Sequence, residues 1–390
     1  MQKRIISYFI TIITALTFVL SGCGEKAENI QINAAETDKD ISKEADKSFN
    51  TSDITEATGK PQEGLNTNTD NTDKDTDKVT DQDGVEEPLN STCFKIEDIS
   101  YSELFETVKN KCLDNINRDA PTREDAIQLS VLLMSYEIFP EVMESGTESA
   151  ENSDNENRVP YIIDETRNIL DSYLQHMEKD EIQGTEEAEN FILVAADLAY
   201  IYKKYDKSYA EKCLKTAETL WKNVRNDIAD SIKFTALDAA KLYRVTAKKE
   251  YRTYLSEYFN TGSYLDEYDD VEFLIETTYL NSRVEVDKNI CELLMKKLMQ
   301  AAEKISNEVR SSIYMTAFEK QTDLEKILND GMIMSFVDYV ISNHEYDMIL
   351  ENYLHYLLGR NPEGVVYLDD VSDAKIVFML SKILGKGYSY

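Results

Sequence analysis

The side chains best suited to chemistry are scattered along this chain. Its three histidines, His176, His344 and His355, have no partner residue at the spacing of a metal site or a catalytic triad. We therefore predict that they are surface residues or hydrogen-bonded core residues. The sequence carries no motif for a metal or a cofactor, and we predict neither.

Four of the five cysteines also lack a ligand pattern. Cys93, Cys112, Cys213 and Cys291 are far apart, with no Cys-x-x-Cys pair and no histidine at ligand spacing. The sequence predicts buried or free thiols and leaves a disulfide open.

Cys23 differs because it follows the features of an export signal. Lys3 and Arg4 precede an apolar run over residues 5–20, and Leu20-Ser21-Gly22-Cys23 resembles the lipobox of bacterial lipoproteins. The run is shorter than the roughly 20 residues of a spanning helix. We predict that residues 1–23 are a lipoprotein signal peptide, and that acylated Cys23 anchors the chain to the extracytoplasmic face of the cell membrane. An ordinary secretory signal cut near Ser21 is the alternative.

Composition limits the partners of the rest of the chain. Residues 24–91 have no apolar periodicity and few large side chains, so we predict a disordered acidic tether. Lys and Arg number 42 against 74 Asp and Glu, giving a formal charge of −32, which argues against nucleic acid as a partner. Polysaccharide and cell-envelope proteins are the partner classes that this charge allows.

Residues 92–390 form the predicted folded domain, where apolar residues recur at spacings of three and four. Only 13 glycines and 6 prolines are present in the chain, and this domain shows no β-hairpin signal. The pattern predicts twelve helices, over residues 101–117, 122–139, 159–179, 185–205, 207–226, 230–245, 248–259, 270–282, 286–308, 328–343, 345–359 and 370–386.

The predicted helices differ in polarity. Residues 191–196 and 332–337 are apolar over a wide arc, whereas residues 207–226 and 345–358 have a full charged face. An inner and an outer ring of helices require such alternation. We predict an all-α fold in which six helical hairpins form an (α/α)6 barrel, or toroid. On periodicity alone, another all-α bundle or a solenoid is the alternative.

A segment near the C-terminus, Tyr353-Leu354-His355-Tyr356-Leu357-Leu358-Gly359-Arg360-Asn361-Pro362, predicts a helix that stops abruptly. Gly359 takes the left-handed position after the helix, and Pro362 prevents continuation. The segment resembles the Tyr-Leu-Leu-Gly-x-Asn-Pro signature of glycoside hydrolase family 9, with Gly359, Asn361 and Pro362 at the signature positions. Residues 135–140, 159–167, 196–214 and 239–246 are similar to other family segments in the same order. The resemblance implies a six-hairpin barrel with a cleft across one face and endoglucanase-like activity.

The resemblance also implies an inverting mechanism, in which a base carboxylate activates water and an acid carboxyl protonates the leaving oxygen. Matching without gaps puts Asn117 at the position of the base, and an amide cannot take a proton from water. Asp114 then keeps an accessory position. With a gap, Asp119 or Asp125 stands in for the base.

The acid of the family is also replaced. Tyr367 falls where a glutamate is expected, and the chain then runs almost directly to residue 370, without the loop that holds the sugar in the family. Asp370 is a relocated candidate. The single tryptophan, Trp221, lies on a stripe that predicts burial rather than stacking on sugar.

Three functions follow from this combination. The first is an anchored protein whose barrel has lost catalysis and binds carbohydrate or an envelope partner. The second is a weakly active or altered β-glucan hydrolase with a moved carboxylate pair, for which Asp114, Asp119 and Asp370 are the candidates. The third is a structural component of cell-envelope assembly.

The anchor gives a first prediction. Changing Cys23 to Ala removes the thiol that would be acylated, so mass spectrometry of the N-terminal peptide should find lipid on the wild type and none on the variant. Cys93→Ala is the matched control and should keep the lipid. An unmodified Cys23 in the wild type would contradict the prediction.

Overall fold

A computed structural model describes residues 100–120, 122–144, 159–179, 185–225, 232–262, 268–312, 324–369 and 373–385. All of them belong to the second of two compact units, Ser91–Tyr390. The predicted signal peptide, the tether and Cys23 lie outside the described residues.

The described residues form thirteen α-helices and contain no strand. The helices are α1 (Tyr101–Asn115), α2 (Arg123–Ile138), α3 (Pro140–Glu144), α4 (Tyr161–Lys179), α5 (Thr185–Tyr202), α6 (Lys207–Val224), α7 (Ile232–Thr246), α8 (Lys249–Thr261), α9 (Asp270–Leu280), α10 (Lys288–Val309), α11 (Leu324–Ile341), α12 (Asp347–Leu357) and α13 (Ala374–Leu384). A short 3-10 turn covers Tyr367–Asp369. No helix in these ranges is long and apolar enough to cross a membrane.

The long helices alternate between two layers. α2, α5, α7, α9, α11 and α13 are buried over most of their surface, and α5 is buried from Ala188 to Ala199 without a break. The helices between them bury one stripe, as α6 does with Cys213, Ala217 and Trp221. The buried helices form the inner ring and the others the outer ring. The predicted (α/α)6 barrel is therefore confirmed, and Trp221 is 2% exposed, as its stripe predicts.

Local sequence explains where several helices begin and end. Thr122 and Asp206 cap α2 and α6 by accepting backbone N–H bonds from Asp125 and Tyr209. After α12, Gly359 has φ +102° and the N–H of Arg360 bonds to the carbonyl of His355, as in a Schellman turn. These ends match the sequence prediction.

Other predicted bounds are wrong. The sequence prediction lacked the short helix α3, which begins at Pro140, where the missing N–H of proline costs nothing. The last helix starts at Ala374 rather than residue 370, because Asp373 caps it. α11 begins at Leu324, four residues before the predicted start.

A buried ion network joins three inner helices. Arg244 on α7 bonds to Asp197 on α5 at 2.5 Å and to Glu137 on α2 at 2.7 Å. Lys241 lies 2.7 Å from Asp197 and 2.9 Å from the hydroxyl of Ser130, which itself donates to Asp197. Burial lowers the pKa of Lys241 and Asp197 opposes this. Two cations and two carboxylates thus neutralise one another inside the ring.

This network gives a stability prediction. Arg244→Ala should lower the free energy of unfolding by about 3–5 kcal/mol, because it leaves buried carboxylates without a partner. Arg252→Ala is the control, since Arg252 and its partner Glu285 are exposed, and it should cost about 1 kcal/mol or less. Urea unfolding followed by circular dichroism measures both. Equal losses in the two variants would contradict the role of the network.

Candidate functional site

A pocket opens at one end of the barrel, where inner helices begin. It encloses about 410 Å³ and is lined by residues at the starts of four inner helices. α2 contributes Arg123, Glu124, Ile127 and Gln128, and the others contribute Asp270 (α9), Glu325 (α11), and Asp373 and Lys375 (α13). We call this the axial pocket. The chain alternates between outer and inner helices, so all inner helices run in the same direction. They therefore begin at the same end of the barrel, which is where the pocket lies.

Lys375 holds three of these helices together. Its ammonium lies 2.7 Å from the carboxylate of Asp270 and 2.8 Å from the side-chain oxygen of Asn329 on α11. The Lys375 side chain is only 5% exposed. One cation therefore crosslinks α9, α11 and α13 in the wall of the pocket.

Arg123 likewise links α2 to two other inner helices, α5 and α7. It donates to Glu189 on α5 at 3.3 Å, and its guanidinium lies 3.8 Å from the centre of the Phe234 ring on α7. Glu189 is almost fully buried and also accepts from Thr235. The positive charge of Arg123 is thus matched by a carboxylate beneath the pocket.

Two aspartates near the pocket form hydrogen bonds at the first turns of helices. Asp125 accepts the hydroxyl of Thr122 at 2.5 Å and the backbone N–H of Asn117 at 3.3 Å. Asp373 accepts the N–H of Lys375 at 2.8 Å, and burial raises the pKa of this carboxyl. Both carboxylates therefore hold backbone in place.

The predicted catalytic residues that the structure describes, Asp114 and Asp119, do not line this pocket. Both side chains are exposed. The side chain of Asn117 accepts the N–H of Asp119 and stabilises the loop before α2. Asp370 lies outside the described residues, so its predicted role stays a prediction.

Tyr367, at the position predicted for the acid, turns toward its own segment. Its hydroxyl donates to Glu363, and its ring lies parallel to that of Tyr356, with centres 6.4 Å apart. The side chain of Asn361 stabilises the same turn through four hydrogen bonds. Its amide donates to the carbonyls of Tyr356 and Val365, and its oxygen accepts the N–H groups of Glu363 and Val365. The Asn of the signature is thus a buried clamp on the loop that follows α12.

Asp238 on α7 is a buried carboxyl that the sequence analysis missed. It is fully buried, and neither oxygen has a hydrogen-bond partner among the described residues. Burial, followed by the charge of Glu189, raises its pKa well above the usual value. The sequence signal was one acid inside the apolar run Ala236-Leu237-Asp238-Ala239-Ala240. Burial in this position thus favours the protonated form of the carboxyl.

The histidines and cysteines agree with the sequence prediction. His355 bonds to the hydroxyl of Tyr101 at 2.9 Å, and partly buried His176 lies 3.5 Å from Glu187. Exposed His344 lies 3.1 Å from Asp347. Cys112, Cys213 and Cys291 are free thiols, and Cys93 is outside the described residues.

One group of side chains in the described part has the spacing of a metal site. Asp338, His344 and Asp347 offer ligand atoms within 4.8 Å of one another. The ammonium of Lys382 lies 2.6 Å from Asp338 and 3.0 Å from Asp347. This lysine supplies the positive charge that a metal ion would bring, so the group does not fit a metal centre.

Asp238 gives a prediction about pH. Above about pH 4 the unfolded chain loses this proton while the folded chain keeps it, so the free energy of unfolding falls as pH rises toward the folded-state pKa. Asp238→Asn should remove that contribution. Urea unfolding at about pH 5 and about pH 8 should show a smaller loss for the variant than for the wild type. Asp164→Asn, at an exposed site, is the control, and an unchanged pH slope in Asp238→Asn would contradict the prediction.

Comparisons with known proteins give the same fold. A metagenome-derived glycoside hydrolase family 9 endoglucanase aligns with a TM-score of 0.51 and 22% identity, covering 62% of this chain and 53% of its own. A Bacteroides ovatus GH9 protein aligns with a TM-score of 0.54 and 14% identity, covering 67% of this chain and 69% of its own. This chain therefore spans about half the length of the first relative. The comparison with curated proteins found no match.

The family assignment comes from a separate comparison of the sequence. The model of glycosyl hydrolase family 9 matches residues 151–376, which is more than half of the chain. The resemblance in the C-terminal signature is thus part of a match that includes α4 to α12 and the start of α13. This protein belongs to glycosyl hydrolase family 9.

Proposed function

We propose that this protein is a lipid-anchored, extracytoplasmic member of the family that binds carbohydrate in the axial pocket without hydrolysing it. The observation that carries the proposal is that the three aspartates in or beside the pocket are already bonded, which leaves only Glu124 and Glu325 at its exposed edge. Asp125 and Asp373 hold helix starts, and Asp270 is paired with Lys375. An inverting hydrolase needs one carboxylate free to activate water and one carboxyl free to protonate the leaving oxygen.

The positions that the family resemblance assigns to catalysis support the same proposal. Asn117 stands at the base and has no group that can accept a proton from water. Tyr367 stands at the acid, and its hydroxyl is engaged by Glu363. Both replacements remove proton transfer while leaving the helices intact, so the barrel can keep a ligand site after losing the reaction.

The pocket itself suits a small polar ligand. Its volume of about 410 Å³ falls in the range of small-molecule sites, roughly 300–1,000 Å³. Glu124 and Glu325 offer acceptors at its exposed edge, of the kind that bind hydroxyl groups, while the side-chain oxygen of Gln128 already accepts the N–H of Ala374 at 2.6 Å. A chain anchored through Cys23 and a long acidic tether would present this pocket to polysaccharide outside the cell. A protein partner in the envelope is the other ligand class that the sequence allows.

A weakly active β-glucan hydrolase is the second candidate. The specific observation in its favour is Asp373, whose pKa is raised by burial, as a general acid requires, and which lines the pocket. Its engagement with the N–H of Lys375 argues against this role.

The test combines binding with turnover. Purified protein, without its signal peptide, is titrated calorimetrically with cello-oligosaccharides and other soluble glycans. The same mixtures are assayed for new reducing ends over days. Binding that is weakened in Glu325→Gln and kept in Glu211→Gln, an exposed control on α6, supports the proposal.

Two outcomes would contradict it. Turnover of the glycans that Asp373→Asn abolishes would instead support the weakly active hydrolase. An absence of binding across the glycans would reject carbohydrate as the ligand and favour an envelope partner. Asp114→Ala and Asp119→Ala test the sequence-derived candidates in the same assay, and we expect no effect on binding because neither lines the pocket.

A further inference from the structure

We propose that α6 carries a second binding surface, on which exposed lysines hold a linear polysaccharide with carboxylate groups, such as a polymer of uronic acid. The surface consists of Lys212, Lys215 and Lys222, and we call it the lysine row. It lies on an outer helix and shares no residue with the axial pocket, so the inference does not depend on the proposed function. It follows from the local sign of the charge, the pairing of the acids on α6 and the geometry of this helix.

The charge of this part of the chain is opposite to that of the whole. Residues 203–225 carry seven Lys and Arg against three Asp and Glu, whereas the full chain has 42 against 74. The strongly negative surface repels polyanions over most of the protein. A local excess of cations is therefore the place where a polyanion can approach it.

The acids of α6 do not neutralise the lysine row, because they are bonded to other lysines. Glu218 forms an ion pair with Lys248, just before α8, and also accepts the hydroxyl of Tyr251. Glu211 lies 3.5 Å from Lys207, one turn earlier on α6. Within the part of the chain that the structure describes, no lysine of the row forms an ion pair with a carboxylate. The charge of the row is thus left for a ligand.

The geometry of α6 suits a linear ligand. Its buried stripe includes Cys213, Ala217 and Trp221. At about 100° per residue, the lysine row falls within an arc of about 80° on the opposite face, where all three side chains are exposed. At a rise of roughly 1.5 Å per residue, residues 212–222 span about 15 Å. Such a narrow row meets a single polymer strand, whereas a flat anionic membrane would also face the acids of the remaining surface.

The side chains between the lysines favour a sugar polymer over a polymer of phosphate. The hydroxyls of Thr216 and Thr219 donate to the backbone carbonyls of Lys212 and Lys215, at 3.2 and 2.8 Å. Each hydroxyl oxygen is therefore left as an acceptor, and Thr219 is exposed. Sugar hydroxyls donate to such acceptors, while the carboxylates accept from the ammonium groups of the row. A phosphate polymer supplies acceptors alone.

The test measures binding of a linear galacturonic acid oligomer to the purified protein without its signal peptide, by isothermal titration. The methyl ester of the oligomer has the same backbone without the charge and should not bind. Changing Lys212, Lys215 and Lys222 together to Gln should weaken binding of the acid at least about tenfold. Raising the salt concentration from about 20 mM to about 200 mM should weaken binding to the wild type, because exposed charges are screened.

A second triple variant controls for net charge. Lys288→Gln, Lys296→Gln and Lys304→Gln remove three exposed lysines from α10, another outer helix. This variant becomes more acidic by the same amount and should bind the acid oligomer almost as the wild type does. Because all six lysines are exposed, both triple variants should fold, which circular dichroism checks.

Several results would overturn the inference. An absence of binding by the acid oligomer, or equally tight binding of its ester, would remove the role of the carboxylates. Equal losses in the two triple variants would reduce the effect to net charge. Linear polyphosphate or vesicles of anionic phospholipid that bind the lysine row more tightly than the acid oligomer would replace the occupant. Weakening by Glu325→Gln, with no effect of the α6 variant, would place the acid oligomer in the axial pocket instead.

Discussion

The stability of the barrel depends on buried charged side chains that neutralise one another in its interior. Asp197 lies between Lys241 and Arg244, and these contacts join α5, α7 and α2 in the interior. Each ion is only a few per cent exposed, so its desolvation is costly and its partner must be held in place. The six-hairpin arrangement allows this because facing inner helices bring distant parts of the chain together.

The axial pocket uses the same principle. Lys375 pairs with Asp270, and Arg123 with Glu189, so the cations of the wall crosslink inner helices as those of the core do. Asp125 and Asp373 are likewise bonded at helix starts, whereas Glu124 and Glu325 lie exposed at the edge of the pocket. In the proposed account, these charges stabilise the scaffold, and the exposed acids that remain face the ligand. In this proposal the barrel keeps a ligand pocket and lacks groups placed to move protons.

Much of the fold could be predicted from the sequence, because the signals are local. Apolar spacing gave the existence of all twelve long helices, and the difference between fully apolar and one-sided helices gave the two layers. Thr122, Asp206 and Gly359 act within one turn of their own position, so their roles were readable. The short helix α3 was not predicted, because a proline that follows one helix can also begin the next.

The site could not be predicted in the same way. Lys375 and Asp270 are more than 100 positions apart, and in a helical pattern a buried ion looks like one on a solvated face. Asp238 and Asp197 do interrupt apolar runs, which is a signal that could have marked them as interior acids. The family resemblance indicates Asp114, Asp119 and Asp370 instead, and the first two are exposed.

The central claim is that this barrel holds a saccharide and leaves its glycosidic bonds intact. Nuclear magnetic resonance tests this most directly, by following the anomeric protons of a bound tetrasaccharide at stoichiometric protein concentration over days. The account predicts broadening from binding that Glu325→Gln weakens, with no new anomeric signal. New reducing-end signals that Asp373→Asn abolishes would contradict it.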